Sequence, residues 1–292
     1  MSEYALRLAG IHKRFKSNHV LRGVDLSLTV GTIVGLMGKN GAGKSTMIKC
    51  LLGLLKTDAG TSTVFNDSSW DLTADSKQRI GYVPQIMTGF TWMKVETLLE
   101  YTGSFYDVWN KEKVKSLLLE WDLNPQARIS HLSEGERQKL SIIQALGHEP
   151  DLFIFDEPVA ALDPSSRRQF LKELIDLNMN ENRSMLFSTH IASDLERVAA
   201  DIAVLKNGVI AYKCNLATLQ ERIRRLHIRS GRELPESLPI PGVIHSIVNR
   251  NSATVTVDGL PDDYVAKLRN DLSADISIEP LNLEDIFLEV NR

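Results

Sequence analysis

The stretch "GKNGAGKST", Gly38 to Thr46, decides the fold of this chain. It matches the pattern G-x-x-x-x-G-K-[ST] and stands between the apolar run "TIVGLM" and the helical sequence "KSTMIKCLLGLL". A strand, a glycine-rich turn and a helix in this order hold the phosphates of a nucleotide, because the glycines let successive backbone N–H groups point inward. Lys44 is predicted to reach the β and γ phosphates, Ser45 to place its hydroxyl on Mg²⁺, and Thr46 to help hold the α phosphate. The predicted nucleotide contacts in this turn are Gly38, Lys39, Asn40, Gly41, Ala42, Gly43, Lys44, Ser45 and Thr46.

Two acids follow a second apolar strand, "LFIFDE", which ends at Asp156 and Glu157. We expect Asp156 to hold Mg²⁺ through water, and Glu157 to act on an attacking water molecule as general base or as the group that positions it. Because strands often end in acidic residues, this pair indicates a magnesium and water site only in combination with the phosphate-binding turn earlier in the chain.

Strands and helices alternate from residue 1 to about residue 212. The near-continuous apolar strands "TIVGLM", "RIGYVP", "DLFIFDE" and "MLFST" indicate a largely parallel sheet that is covered on both faces. Residues 88–147 are mainly helical in pattern and predict an insertion within this core. The predicted fold class is α/β: a P-loop NTPase core with a mainly parallel sheet, a β-rich N-terminal part, a helical subdomain insertion and a small α+β C-terminal domain.

The pattern changes from Asn215. Leu216, Leu219, Ile223 and Leu226 have helical spacing, and "ELPESLPIPG" predicts a proline-rich linker or turn. After it, "ATVTVDG" and "DISIEP" predict strands, while "DDYVAKLRNDL" and "LEDIFLEV" predict helices. We therefore expect one domain over residues 1–214, with a helical subdomain at about 88–147, and an accessory α+β domain over residues 215–292.

Composition narrows the function classes. The 292 residues carry a net charge of -3, which argues against a protein that coats nucleic acid, and no nucleic-acid partner is expected. The basic run "RIRRLHIRSGR", Arg222 to Arg232, is interpreted as a solvated helix face and linker; contact with anionic lipid or a partner is the alternative. Cys50 and Cys214 are expected to be reduced, and neither a signal sequence nor a membrane-spanning run is expected.

Four further features follow in a fixed order. Gln85 follows the strand "RIGYVP", "LSEGE" follows the helical insertion, "AALD" follows the double acid, and His190 ends the strand "MLFST". Together with the phosphate-binding turn and the acidic strand end, this ordered set resembles the nucleotide-binding cassette of an ABC transporter, over roughly residues 3–212. The resemblance implies ATP and Mg²⁺ as cofactors and ATP hydrolysis as the reaction.

The resemblance also implies roles for single residues. Phe15 is similar to the aromatic that stacks on adenine, and Gln85 to the residue that senses Mg²⁺ and the attacking water. His190 resembles the switch histidine that contacts the γ phosphate and braces Glu157. Asp163, in "ALDP", resembles an acid that communicates across a dimer; it also fits the N-cap of the following helix, and both roles can hold. The implied catalytic set is Glu157, His190, Gln85 and Lys44, and the implied metal set is Ser45, Gln85 and Asp156.

In such cassettes the "LSEGE" turn serves the ATP held by a second subunit. Ser133, Gly135, Glu136 and Asp163 are therefore expected to contact ATP in trans, across a head-to-tail dimer. A homodimer is the simplest arrangement, and a heterodimer stays open. The usual wording of the turn is LSGGQ, so Glu134 and Glu136 depart from it, and a carboxylate at Glu136 is expected to weaken closure on the γ phosphate.

A cassette of this kind drives a separate membrane permease. The C-terminal part resembles the tail of cassettes in the multidrug and antibiotic export group, whose permease is a separate chain. "FTWMKVETLLEYTGSFY" is interpreted either as part of a docking groove or as subdomain core. The expected location is the inner face of the cell membrane, through the permease. The competing hypothesis is a soluble ABC-type ATPase that acts on ribosomes or DNA.

Overall fold

The computed structural model describes residues 3–291, apart from the side chains of Asn180, Glu181 and Asp262. Within these residues no helix combines the length and the apolar character needed to cross a membrane. The strands are β1 (Tyr4–Phe15), β2 (Asn18–Thr29), β3 (Ile33–Met37), β4 (Ala59–Val64), β5 (Asp67–Ser68), β6 (Ile80–Val83), β7 (Leu152–Asp156), β8 (Ser184–Thr189), β9 (Asp201–Lys206), β10 (Val209–Asn215), β11 (Ile223–Ser230), β12 (Val243–Asn249), β13 (Ser252–Asp258) and β14 (Ala274–Pro280). The helices are α1 (Lys44–Leu51), α2 (Ala74–Gln78), α3 (Val95–Gly103), α4 (Lys111–Glu120), α5 (Glu134–Leu146), α6 (Pro164–Glu181), α7 (Ala192–Val198), α8 (Leu216–Arg222), α9 (Asp262–Leu272) and α10 (Leu283–Val290).

The central sheet has the strand order β10-β9-β3-β8-β7-β6. The pairs β3–β8, β3–β9, β6–β7 and β7–β8 are parallel. Every residue of β3, β7 and β8 is buried, which explains the apolar runs of β3, of Leu152 to Phe155 and of Met185 to Phe187 in the sequence. The predicted α/β class with a mainly parallel sheet is confirmed.

A second sheet, with the order β2-β1-β4-β5, is antiparallel. Its inner face packs with α1 and one face of the central sheet in a single apolar core that includes Leu6, Val24, Ile48 and Leu186. This sheet is the β-rich N-terminal part of the predicted fold class. Strand β1 of this sheet ends at Phe15. The side chain of Phe15 and the phosphate-binding turn line the same cavity, which is described below.

The predicted helical stretch contains α3, α4 and α5. Val95, Leu98 and Leu99 of α3 are buried, whereas Trp92 and Phe105 on either side of this helix are exposed. The aromatic-rich segment "FTWMKVETLLEYTGSFY" therefore supplies both core residues and surface aromatics.

The C-terminal residues form a sheet with the order β12-β13-β11-β14, and α9 packs with the apolar core that this sheet buries. The helix predicted to include Ile223 and Leu226 was wrong beyond Arg222, because the chain changes to a strand at Ile223. Leu226 and Ile228 alternate along β11 and face the core, a spacing of two that belongs to a strand.

Most of the basic run, Ile223–Ser230, is therefore a strand rather than a solvated helix face and linker. Several of its basic side chains have acidic partners within the same sheet and in α10. Arg225 donates to Glu279 and Glu289 at 3.2 and 2.9 Å, and His227 Nε2 lies 2.7 Å from Glu279. The hydrogen bond with His227, together with the hydrogen bond and the positive charge of Arg225, lowers the pKa of Glu279. Internal pairing leaves fewer of these charges for an anionic surface than the sequence suggests.

The described chain divides into two compact units. The first consists of Met1–His190 and Arg197–Lys213, and the second of Ile191–Glu196 and Cys214–Arg292. The segment Ile191–Glu196 consists of the residue before α7 and the first part of that helix, and it belongs to the second unit. There the Glu196 carboxylate accepts a hydrogen bond of 2.8 Å from the Leu283 N–H, at the first residue of α10. The division into independent domains at residues 214 and 215 stays a prediction.

Candidate active site

The phosphate-binding turn joins β3 to α1. Gly41 and Gly43 have φ angles of 80° and 110°, values that a residue with a side chain rarely adopts. A Cβ atom at Gly43 would also lie 2.9 Å from a Leu21 side-chain carbon. The helix begins directly after Gly43, so its first free N–H groups and its positive dipole end face the turn.

The turn opens into a cavity of about 400 Å³. The residues that line it are Phe15, Val20, Lys39, Asn40, Gly41, Gly43, Lys44, Ser45, Thr46, Gln85 and Glu157. Gly38 and Ala42 are the predicted turn contacts that do not line it. Phe15 is 46% exposed, with Lys13 Nζ 5.7 Å from its ring centroid, so one face of an aromatic ring is available at the cavity.

Glu157 lies at the centre of the predicted catalytic set. Its side chain is 5% exposed; Oε1 lies 3.1 Å from Lys44 Nζ and Oε2 lies 2.7 Å from His190 Nδ1. Within the described residues Oε1 accepts no hydrogen bond, so Lys44 meets it as an ion pair. Lys44 donates to the Gly38 carbonyl oxygen at 2.7 Å. The site thus keeps a buried lysine and a buried carboxylate in contact beside the turn.

Glu157 also has a left-handed backbone, with φ 53°. This conformation costs roughly 1–2 kcal/mol for a residue with a side chain and recurs at functional sites. Its backbone N–H donates both to the Ser188 carbonyl oxygen and to the Ser188 hydroxyl, each at 3.1 Å. Ser188 Oγ in turn donates to Asp156 Oδ1 at 2.9 Å. Sequence reasoning missed Ser188; the available signal was a hydroxyl residue within a strand otherwise taken as apolar.

The three predicted metal residues share a second cavity. Ser45, Gln85 and Asp156 all line a space of about 730 Å³ beside the helical stretch. They offer a hydroxyl, an amide and a carboxylate oxygen, the hard donors that Mg²⁺ prefers. Among residues 3–291 no group of three or more His, Cys, Asp and Glu side chains could hold a metal by itself. This set suits Mg²⁺, which binds through few protein ligands together with water and phosphate oxygens.

The "LSEGE" turn is the N-terminus of α5. Ser133 is the N-cap: its hydroxyl accepts from the Glu136 N–H at 3.3 Å. The Glu136 carboxylate reaches back and accepts from the Ser133 N–H at 2.8 Å and from the Ser133 hydroxyl at 2.7 Å. These two hydrogen bonds lower the pKa of Glu136, so its carboxyl is ionised at neutral pH. A negatively charged oxygen therefore occupies the N–H and the hydroxyl of Ser133, one of the residues that are predicted to contact ATP in trans.

Gly135 and Asp163 have clear structural roles in the same region. A Cβ at Gly135 would lie 2.8 Å from the Ala161 carbonyl oxygen, so a larger residue does not fit. Asp163 caps α6, accepting from the N–H groups of Ser165 and Ser166 at 2.9 and 3.0 Å. Hydrogen bonds from the Ser166 hydroxyl and backbone lower the pKa of Asp163 to about 2.

The structure brings together the residues that are predicted to contact the ATP bound by their own chain. The residues that are predicted to contact the ATP of a second subunit do not line the same cavity. The described residues that line the turn cavity include Phe15, Lys44, Gln85 and Glu157, with His190 bonded to Glu157. Ser133, Gly135, Glu136 and Asp163 are not among them.

Comparison with known proteins agrees with this geometry. Residues 21–160 match the sequence profile of the ABC transporter family. The chain is 30% identical to the ABC transporter ATP-binding protein YxlF of Bacillus subtilis, over 98% of this chain and 99% of the relative. It is 33% identical to the ATP-binding protein NatA of the same organism, over 70% of this chain and 85% of NatA. It is also 30% identical to the Nod factor export ATP-binding protein I of a Rhizobium species, over 99% and 98% of the two chains.

Solved structures share the fold. A structure described as the ATP binding subunit of an ABC transporter superposes with a TM-score of 0.66 at 28% identity, over 74% of this chain and 92% of that one. The cassette MJ0796, solved as a dimer bound to ADP and Pi, gives a TM-score of 0.64 at 24% identity, over 72% and 98% of the two chains. Motifs, site geometry and full-length relatives agree, and the chain belongs to the ABC transporter ATP-binding proteins, the family that its ordered motifs predict.

Proposed function

We propose that this chain is the ATP-hydrolysing subunit of an exporter, in which Glu157 activates the attacking water. The observation that carries the proposal is the burial of Glu157 between Lys44 and His190, at 3.1 and 2.7 Å. A carboxylate held by a histidine beside a phosphate-binding lysine is placed to orient water and to accept its proton. Lys44 and the N–H groups at the start of α1 stabilise the charge on the transferred phosphoryl group.

Magnesium completes this proposed site. Ser45, Gln85 and Asp156 would hold the ion, which when bound neutralises charge on the β and γ phosphates. The support is that all three residues line one cavity and offer oxygen ligands. Phe15 offers its exposed ring to the adenine at the edge of the turn cavity.

The working form is a head-to-tail pair of cassettes, with the homodimer as the simplest case. Ser133 and Gly135 lie outside the turn cavity of their own chain, and α5 presents its N-terminus at Ser133. A helix N-terminus with a hydroxyl at its cap favours an anion. ATP from a second cassette would supply that anion, so ATP bridges the pair and its hydrolysis lets the pair open.

Glu136→Gln is expected to tighten ATP-driven dimerisation by roughly two- to fivefold, the size of one charge effect at a helix N-terminus. Glutamine keeps an oxygen that can accept from the Ser133 N–H and hydroxyl, while it removes the negative charge that repels a phosphate. The measurement is the concentration dependence of dimer formation with ATP, in a Glu157→Gln background so that ATP persists.

Glu134→Gln is the matched control. Glu134 lies in the same first turn and is exposed, and removing its charge is expected to have a smaller effect. Equal dimerisation of the Glu136→Gln variant and of the protein that retains Glu136 would contradict repulsion at this turn.

The permease is proposed to dock on the aromatic surface beside Gln85. Phe90, Trp92, Tyr101 and Phe105 form a chain of rings with centroids 5.0 to 6.1 Å apart. Trp92 and Phe105 are more than 60% exposed, and exposed aromatic clusters mark binding surfaces. Phe90 of this surface and Gln85 line the same cavity, and Gln85 also lines the turn cavity, so Gln85 would connect the surface with bound ATP.

The proposed direction of transport is export. Its support is the relative named for Nod factor export, which aligns with nearly the whole of this chain. The proposed location is the inner face of the cell membrane, through the permease.

The test of the transport role is purification of the chain with its membrane partner. We expect an integral membrane protein to copurify and to stimulate ATP hydrolysis, and a Trp92→Ala/Phe105→Ala variant to lose both effects while it retains basal hydrolysis. ATPase activity that is stimulated by ribosomes or DNA, with no membrane partner, would establish the competing soluble role.

A further inference from the structure

Ser188 is a buried hydroxyl on which both acids of the site converge. It lies in β8, which pairs with β3 on one side and with β7 on the other. Its register partners are Leu36, just before the phosphate-binding turn, and Asp156. The side chain is fully buried. Ser188 is thus positioned between the strand that leads to the phosphates and the strand that carries the acids.

Its two hydrogen bonds define the orientation of the hydroxyl. Ser188 Oγ donates to Asp156 Oδ1 at 2.9 Å and accepts from the Glu157 N–H at 3.1 Å. A serine hydroxyl has one hydrogen to donate and lone pairs to accept with. Because the amide of Glu157 can only donate, the hydrogen of Ser188 must point at Asp156.

The first bond fixes the carboxylate of Asp156. With Oδ1 held by Ser188, the rotation of the carboxylate is restricted, and Oδ2 is the oxygen that Ser188 leaves for another ligand. The second bond supports the backbone at Glu157, whose φ of 53° turns its side chain toward Lys44 and His190. One hydroxyl therefore restrains two acids with different proposed tasks.

We infer that Ser188 is a positioning residue of the ATPase reaction, which orients Asp156 for the magnesium ion and holds Glu157 at the angle needed to face the attacking water. The inference rests on the proposed role of Asp156 at the metal. Groups that orient a metal ligand contribute about 10- to 100-fold to metal affinity or activity.

Ser188→Ala is the test, and Ser184→Ala is its matched control. Ser184 is a buried serine of the same strand, and its hydroxyl accepts from the Gly31 N–H at 2.9 Å, at the opposite end of β8. Each variant removes a buried hydroxyl from β8, so thermal unfolding is expected to shift similarly in both.

The direct measurement is Mn²⁺ affinity by electron paramagnetic resonance, with the full chain saturated with a non-hydrolysable ATP analogue. Ser188→Ala is expected to weaken Mn²⁺ binding about tenfold, while Ser184→Ala matches wild type. Affinity for the analogue without divalent metal should be unchanged in both. In steady-state assays kcat should fall in Ser188→Ala with the KM for ATP retained.

Two results would overturn the inference. Equal Mn²⁺ affinity in Ser188→Ala and Ser184→Ala would show that Ser188 is only a core hydroxyl. Wild-type protein that binds the analogue but no Mn²⁺ would instead overturn the proposed metal site itself, and the inference with it.

Discussion

Replacing Glu157 with glutamine is expected to lower ATP turnover by roughly 10²- to 10⁴-fold, the contribution of a general base, while ATP binding is retained. Glutamine fills the same space and can still meet His190, but it cannot accept a proton from water. It also removes the ion pair with Lys44, whose Nζ lies 3.1 Å from Glu157 Oε1. Lys44 then has no carboxylate competing with phosphate, so ATP affinity is not expected to fall.

An ATP-bound dimer should accumulate in the same variant. Size-exclusion chromatography with light scattering, with and without ATP, measures this directly. Glu120→Gln is the control, since Glu120 is an exposed carboxylate of α4 that bonds Ser116. Wild-type turnover in Glu157→Gln would refute the role assigned to Glu157.

Lys44→Ala is expected to weaken ATP binding by about 10- to 100-fold, which corresponds to a loss of roughly 1.5–3 kcal/mol for hydrogen bonds to a charged group. The variant removes a cation from the phosphates and also leaves the buried Glu157 carboxylate with His190 as its remaining described partner. The uncompensated negative charge then repels the γ phosphate, which places the effect at the upper end of the range.

Isothermal titration with a non-hydrolysable ATP analogue measures this loss. Lys56→Ala removes an exposed lysine that does not line the turn cavity, and this variant is expected to bind the analogue like wild type. Tight binding by Lys44→Ala would mean that the turn holds nucleotide without its lysine, contrary to the prediction from its sequence.

The central sheet could be predicted because its strands are buried on both faces. Leu152 to Phe155 and Met185 to Phe187 are short apolar runs, and no polar residue interrupts either of them. The phosphate-binding turn was predictable for a different reason: its glycines and lysine occur between a strand and a helix, the context that the motif requires.

The C-terminal strand β11 could not be separated from helix by spacing alone. Leu216, Leu219 and Ile223 fit a helix, and α8 covers the first two of them. The signal of a strand begins only at Leu226 and Ile228, where it competes with the preceding helical pattern. The partners of the basic residues were equally hidden, because Glu279 and Glu289 lie 54 and 64 residues along the chain from Arg225.

For Glu136 the sequence predicts the position of a negative charge but not the direction of the side chain. The sequence placed a carboxylate in the first turn of a helix but left its direction open. The structure shows it bonded to Ser133, through a capping box that a serine and a glutamate three residues apart commonly form. The capping box could have been predicted from the sequence. The proposed repulsion between the Glu136 carboxylate and a phosphate depends on a second subunit, which the sequence of one chain does not describe.

The segment that follows His190 affects how the chain can be divided. Ile191–Glu196 is counted with the C-terminal unit, although the polypeptide returns to the first unit at Arg197. The Glu196 carboxylate accepts a hydrogen bond from the Leu283 N–H at the start of α10. A shortened protein that stops at residue 214 would keep the glutamate and lose the amide that it accepts from, directly downstream of the histidine that contacts Glu157. A truncation after residue 214 therefore does not remove the whole second unit, because that unit also includes Ile191–Glu196.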